Sequence, residues 1–265
     1  MKKEWGVDIA RPGDAKAIIG LTQKEFPPEQ LRLFWYGCPG SSQYIEDMIA
    51  LQAFGGESVF LVARNDTELL GFIEVRRFFD SICLNNGAIS EAATGLGVYR
   101  KLFTESILLG EKEGYTKAFH DVFHGNTLSE FHKRLGYKIT ESFKWVTATI
   151  PSGEISDITT ISGIPQADTV HAKYGFSQFL LTTQMRSYQV GRLGSEWFRI
   201  TDSEILSDKD ALFALNRLDE KRSILCICSE DKMLPDDLLG TVQVLGSDRF
   251  EGHIPTILSA LASKK

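Results

Sequence analysis

Cysteine is scarce in this chain. Cys38, Cys83, Cys226 and Cys228 are the only four in 265 residues, and they show no disulfide framework. Cys226 and Cys228 lie two apart in an apparent strand and read as core residues of a reduced, cytoplasmic protein. No apolar run approaches the length of a membrane span, and Met1-Lys2-Lys3-Glu4-Trp5 lacks the apolar stretch of a signal peptide. Basic charge is not in excess, with 29 Lys and Arg against 35 Asp and Glu, a net charge of -6. Nothing in that balance suggests a nucleic-acid footprint. No Gly-Lys-Ser or Gly-Lys-Thr follows any glycine pair, which excludes a P-loop. His120 and His124 have a spacing that presents two imidazoles on one face of a helix, but the segment reads as strand and turn without a third ligand nearby, so no metal is expected. What remains is 43% hydrophobic and 11% aromatic, enough for a substantial core.

Against these absences one segment stands out, Ala92-Ala93-Thr94-Gly95-Leu96-Gly97-Val98-Tyr99-Arg100-Lys101-Leu102. Two glycines at i and i+2 precede a run in which Leu102, Phe103, Ile107 and Leu108 recur at helical spacing. Glycine permits a tight turn and close approach of the backbone to a ligand. A helix beginning there aims unpaired N–H groups and the positive end of its dipole at any anion in the turn. Taken alone, the pair is equally compatible with a turn that holds nothing. Around it, 58–63 and 69–75 read as strands about a polar turn at Asn65-Asp66, and Gly114 ends the helix. Lys117–Phe123 reads as a strand, Gly125-Asn126 as a turn, 128–135 as a helix closing on Gly136-Tyr137, and 144–150 as a strand.

This order resembles the GNAT superfamily of acyl-CoA-dependent N-acyltransferases, whose pyrophosphate loop Arg/Gln-x-x-Gly-x-Gly/Ala follows a strand and opens a long helix. The loop falls on Thr94 to Tyr99 with Gly97 as its central glycine, and His132-Lys133-Arg134-Leu135-Gly136-Tyr137 matches the family's closing Tyr-x-x-x-Gly-Phe/Tyr. The resemblance covers 59–150 and extends more loosely to 7–54. It implies an α+β fold, a mixed and mostly antiparallel sheet flanked by helices. It implies acetyl-CoA as cofactor, held by Ile89, Thr94, Gly95, Leu96, Gly97, Val98, Tyr99, Arg100 and Asn126. It implies an N-acetyltransferase that moves an acetyl or short acyl group to the primary amine of a small-molecule acceptor. Thr94 departs from the loop's basic or amide residue, Tyr99 from a small residue, and His132 from the tyrosine that protonates the leaving thiolate. A non-catalytic acyl-CoA-binding or regulatory module on a degenerate fold is the alternative these departures leave open.

For the acid of such a reaction the sequence offers His132, since imidazole titrates near neutrality; a surface or capping histidine is the competing reading. For the base it offers Glu91 at the approach to the loop, or Glu74 near a strand end, though either carboxylate can simply be solvated. Phe34, Trp35 and Tyr36 form an aromatic cluster suited to a short helix's packing face or to an acceptor pocket. The domains expected are a transferase domain over 1–150, a linker and helical connection over 151–195, and a smaller α+β module over 196–265. Within the latter two, Ala167–Val190 reads as partly helical, broken near Gly175. Trp197–Thr201, Ile224–Cys228 and Thr241–Leu245 read as strands, Asp208–Leu218 as a helix capped by Ser207 or Asp208, and Ile254–Ala262 as a closing helix. A worn second copy of the first half is one reading of this region, but it lacks a second glycine loop. Acceptor recognition or homodimerisation is the role preferred for it.

Overall fold

The computed structural model describes residues 4–154, 159–236 and 238–263. In chain order the elements are β1 (Gly6–Ile9), α1 (Ala15–Glu25), the single turn α2 (Pro28–Leu31), α3 (Ser41–Gln52), β2 (Ser58–Arg64), β3 (Leu69–Arg77), β4 (Ser81–Ile89) and α4 (Val98–Lys112). They continue with β5 (Lys117–Phe123), α5 (Leu128–Arg134), β6 (Lys138–Ala148), β7 (Thr160–Ser162), α6 (Ile164–Tyr174), β8 (Phe176–Thr182) and β9 (Ser187–Leu193). The last are β10 (Trp197–Ile200), α7 (Lys209–Leu218), β11 (Ser223–Ser229), β12 (Val242–His253) and α8 (Ile254–Ala262). No helix among the described residues is long and apolar enough to cross a membrane.

The described residues of Met1–Pro27, Ser42–Glu141 and Asp248–Lys265 form one compact unit, and those of Pro28–Ser41 and Ser142–Ser247 form a second. The boundaries therefore pass through β6 and β12 and do not follow the division at 150 and 195. The stretch expected to be a linker and helical connection holds β7, α6, β8 and β9; only its first half is helical, and the rest is a hairpin. Of the connection expected after Pro151, residues 155–158 lie outside the described residues.

In the first unit the strand order is β1-β2-β3-β4-β5-β12-β6. Pairing is antiparallel from β1 to β4 and parallel between β4 and β5. The sheet is mixed and mostly antiparallel, as the resemblance implies. β2 and β3 are buried on both faces, so 58–63 reads as a nearly continuous apolar run. Leu102, Phe103, Ser106 and Ile107 make one fully buried face of α4. Leu102, Phe103 and Ile107 join a core with Val59, Leu61, Ile73, Val75, Ile82 and Leu84 from the strands, and with Phe250, Ile254 and Ile257 from the C-terminal end of the chain. Burying each such side chain stabilises by about 1.5–3 kcal/mol.

The second unit repeats this order as β7-β8-β9-β10-β11-β6-β12. Its parallel pair is β10 and β11, joined through α7 as β4 and β5 are joined through α4. The two orders match position for position, except that β6 and β12 change places. Its core gathers Val146, Phe179, Leu181, Val190, Phe198, Ile200, Leu212, Leu215, Ile224 and Cys226. All four cysteines are buried and unbonded.

Candidate active site

β4 leads into the first unit's site through Ser90 and a short 3-10 turn at Glu91–Ala93. The chain then passes through Gly95 at φ 78° and Gly97 at φ 76°, the latter being the N-cap of α4. A Cβ on either glycine would meet no atom of the protein within 4 Å. Packing does not demand glycine here; the left-handed backbone does. The first helical hydrogen bond runs from Lys101 N–H to Gly97 C=O at 3.0 Å. Among the described residues, no acceptor meets the N–H groups of Gly97, Val98 or Tyr99, no side chain caps the helix, and no acidic residue lies in its first turn. Thr94, Gly95, Leu96 and Gly97 are exposed. A fifteen-residue helix thus presents a bare positive end lined by main-chain donors, an arrangement that fits a pyrophosphate.

The two parallel strands beside this loop part company. β4 pairs with β5 only from Ser81–Cys83 to Lys117–Phe119, although β4 continues to Ile89 and β5 to Phe123. On its other edge β4 stays on β3 as far as Ile89 opposite Gly71, with a bulge where Glu74 faces Asn86 and Val75 faces Leu84. Main-chain groups beyond the fork are therefore turned away from sheet pairing on one side, as a slender ligand lying along β4 requires.

His120 is the first residue of β5 past the fork. Its Nδ1 lies 3.3 Å from Nε2 of His132 on α5, whose own Nδ1 lies 2.8 Å from the Leu128 carbonyl. A carbonyl only accepts, so His132 carries its proton on Nδ1 and a lone pair on Nε2. His132 is fully buried, with the rings of Phe103, Phe131, Tyr137 and Phe250 around it. Burial lowers its pKa to about 4, partly opposed by the Leu128 hydrogen bond. Burial, then the neighbouring His132, pushes His120 down as well. His132 is thus neutral near pH 7 with its one proton engaged, and it is not placed to give a proton to a thiolate. It reads as a capping histidine turned inward rather than as the expected acid.

The remaining expected residues divide clearly. Ile89 closes β4 at the fork, and Glu91 is exposed on the turn before the loop. Arg100 turns away from the loop and donates from Nη2 to the Leu261 carbonyl of α8 at 3.1 Å. Asn126 accepts from Leu128 N–H at 2.9 Å, shaping the start of α5. Glu74 is buried and accepts from Ser58 at 3.0 Å, Arg76 at 2.6 Å and Asn85 at 2.8 Å, which suits a structural carboxylate better than a base. The hydroxyls of Tyr99 and Tyr137 are buried without partners among the described residues, and burial pushes both phenols up. His124 pairs with Asp248 at 3.3 Å, and no cluster of metal-ligating side chains occurs among the described residues. In the sequence His120 draws notice only for its spacing from His124. The alternation of Ala118, His120 and Val122 was the signal that it faces inward with the core.

The second unit treats the equivalent helix start differently. Between β10 and α7 the chain reads Thr201-Asp202-Ser203-Glu204-Ile205-Leu206-Ser207-Asp208, with no glycine. Asp208 is buried. Its Oδ1 accepts from Ala211 N–H at 3.1 Å, while its Oδ2 accepts from Thr183 at 2.7 Å and Tyr188 at 3.0 Å. The protein's own carboxylate occupies the anion position of that helix.

No protein-family model matches the sequence, and no curated protein matches it either. Solved structures do resemble it. A tandem GNAT protein from the clavulanic acid biosynthesis pathway superposes with a TM-score of 0.61 at 11% identity, covering 95% of this chain and 99% of its own. A GCN5-related N-acetyltransferase from Sphaerobacter thermophilus superposes with a TM-score of 0.58 at 12% identity, covering 94% of this chain and 96% of its own. Identities this low speak for architecture alone. Taken with the forked parallel strands and the duplicated strand order, they establish that the chain has the fold of the GNAT acetyltransferases.

Proposed function

We propose that this chain is an acyl-CoA-dependent N-acyltransferase that moves an acetyl or short acyl group from its CoA thioester to the primary amine of a small-molecule acceptor. The observation that carries this reading is the bare N-terminus of α4, where the amides of Gly97, Val98 and Tyr99 have no acceptors among the described residues beside two left-handed glycines. Those donors, with the exposed Thr94, Gly95 and Leu96, suit the diphosphate of coenzyme A. Ile89 and the unpaired edge of β4 suit its amide-bearing arm. Acetyl-CoA supplies the activated acyl group. The chain's own work is to hold that group along the fork, polarise its carbonyl with main-chain N–H groups, and bring an amine within attack distance. The names of the two structural relatives, a GCN5-related N-acetyltransferase and a tandem GNAT protein, support the same reading.

The test is direct. Calorimetry should detect coenzyme A binding to the full-length protein. Thiol release from acetyl-CoA should then be followed with spermidine, glucosamine, lysine and phenethylamine as probes. Saturable release with at least one amine supports the assignment; absence of coenzyme A binding overturns it. Binding without release for every amine would leave a CoA-binding module in its place.

A further inference from the structure

We infer that His120 is the base that accepts the amine's proton, and that His132 is a positioning residue that fixes which His120 nitrogen is free to accept it. This rests on the transferase reading above and assigns the proton-accepting role to a different side chain from the carboxylates considered first.

Three groups in a row fix where the protons lie. Leu128 C=O offers only lone pairs, so the 2.8 Å contact puts the His132 proton on Nδ1. His132 Nε2 is then an acceptor. The 3.3 Å contact to His120 Nδ1 is a hydrogen bond only if His120 carries its proton there. His120 is left with a lone pair on Nε2. That atom has no hydrogen-bond partner among the described residues and is not fully enclosed, so its lone pair is left unengaged. The residue sits one position past the last β4–β5 pair, Cys83 with Phe119, at the throat of the fork. The titratable group packed on this pair is the neutral phenol of Tyr137, whose ring lies 5.1 Å from that of His132. Asp121, the adjacent residue on β5, is held by Arg249 at 2.8 Å and contributes no competing base.

In the step itself His120 Nε2 takes one proton from the acceptor's ammonium and later passes it to solvent. The freed nitrogen lone pair forms the C–N bond to the thioester carbonyl carbon. The C–S bond breaks, and sulfur leaves with the electron pair and gains the second proton shed by that nitrogen. The products are the amide, free coenzyme A thiol and one proton.

The experiment uses the full-length protein, acetyl-CoA and whichever probe amine gives the fastest thiol release. His120→Ala should lower kcat by about 100-fold or more, the usual scale for a general base. KM for acetyl-CoA should stay within about twofold, and added imidazole should restore part of the rate. His132→Phe should lower kcat by about tenfold, and in nitrogen-15 spectra it should release His120 from its fixed tautomer. Unchanged kcat in His120→Ala, or a loss that imidazole does not restore, overturns the dyad while leaving the transferase reading intact. So do wild-type spectra at pH 7 that show His120 protonated on Nε2, a readout that needs no turnover. Failure of the wild type to release thiol with any amine overturns the transferase reading and the dyad with it.

Discussion

The two units of this protein run the same local path, strand, connection, helix and parallel strand, as β4–α4–β5 and as β10–α7–β11. They differ at one place. Where α4 begins, beside two left-handed glycines, three amides have no acceptor among the described residues. Where α7 begins, the Asp208 carboxylate fills the same position and is itself held by Thr183 and Tyr188. A helix start with free donors is thus not a property of the architecture. It belongs to the few residues between strand and helix, and at α7 a single internal carboxylate takes up the end that α4 leaves bare.

The comparison can be broken most sharply by carrying the carboxylate across. Gly97→Asp should weaken coenzyme A binding by about 1,000-fold, a cost of about 4 kcal/mol, because a negative charge would stand among the phosphate's donors. Calorimetry reads this, and retained affinity would show that α4 does not hold the anion. Acid provides the next largest contrast. His132 has a folded pKa of about 4 against 6.5 when unfolded, so the unfolded chain binds the extra proton first. Stability of the first unit should therefore be intact above about pH 7 and fall by about 3 kcal/mol as pH drops to about 4. His132→Phe should make that slope shallower in urea titrations across the window, and the part that remains belongs to His120. In the second unit Asp208→Ala should destabilise by about 2–3 kcal/mol, since a cap and two side-chain hydrogen bonds are lost from a buried site. It should leave coenzyme A affinity unchanged, which separates the two helix ends. The smallest effect is expected from Thr94→Arg, which places a cation beside the exposed loop. It should tighten coenzyme A binding by about fivefold at low salt and less as salt rises.

Much of the first unit is legible along the chain because its signals are local. Glycines at 95 and 97, the apolar stripe on α4 and the nearly continuous apolar run of β2 each lie within a dozen residues. The Asp208 cap of α7 is legible for the same reason. The start of β6 is not, because Lys138, Ile139, Thr140 and Glu141 are all exposed and show no buried alternation. His132 misleads because its burial depends on Phe250, more than a hundred residues away, as well as on nearby Phe103 and Tyr137. The repeat of the strand order escapes for a further reason. With Asp208 capping α7, the second unit has no paired glycines at that helix start, so the motif that would announce the repeat is missing.

The interchange of β6 and β12 has a consequence for how the molecule is made. When residue 150 leaves the ribosome, the nascent first unit has six of its seven strands in hand. The one that lies between β5 and β6, together with α8 whose Ile254 and Ile257 complete the core, comes from residues 242–262. Neither unit can be finished until those residues have been made, and a chain cut at residue 150 would be a fragment with an open seam in its sheet.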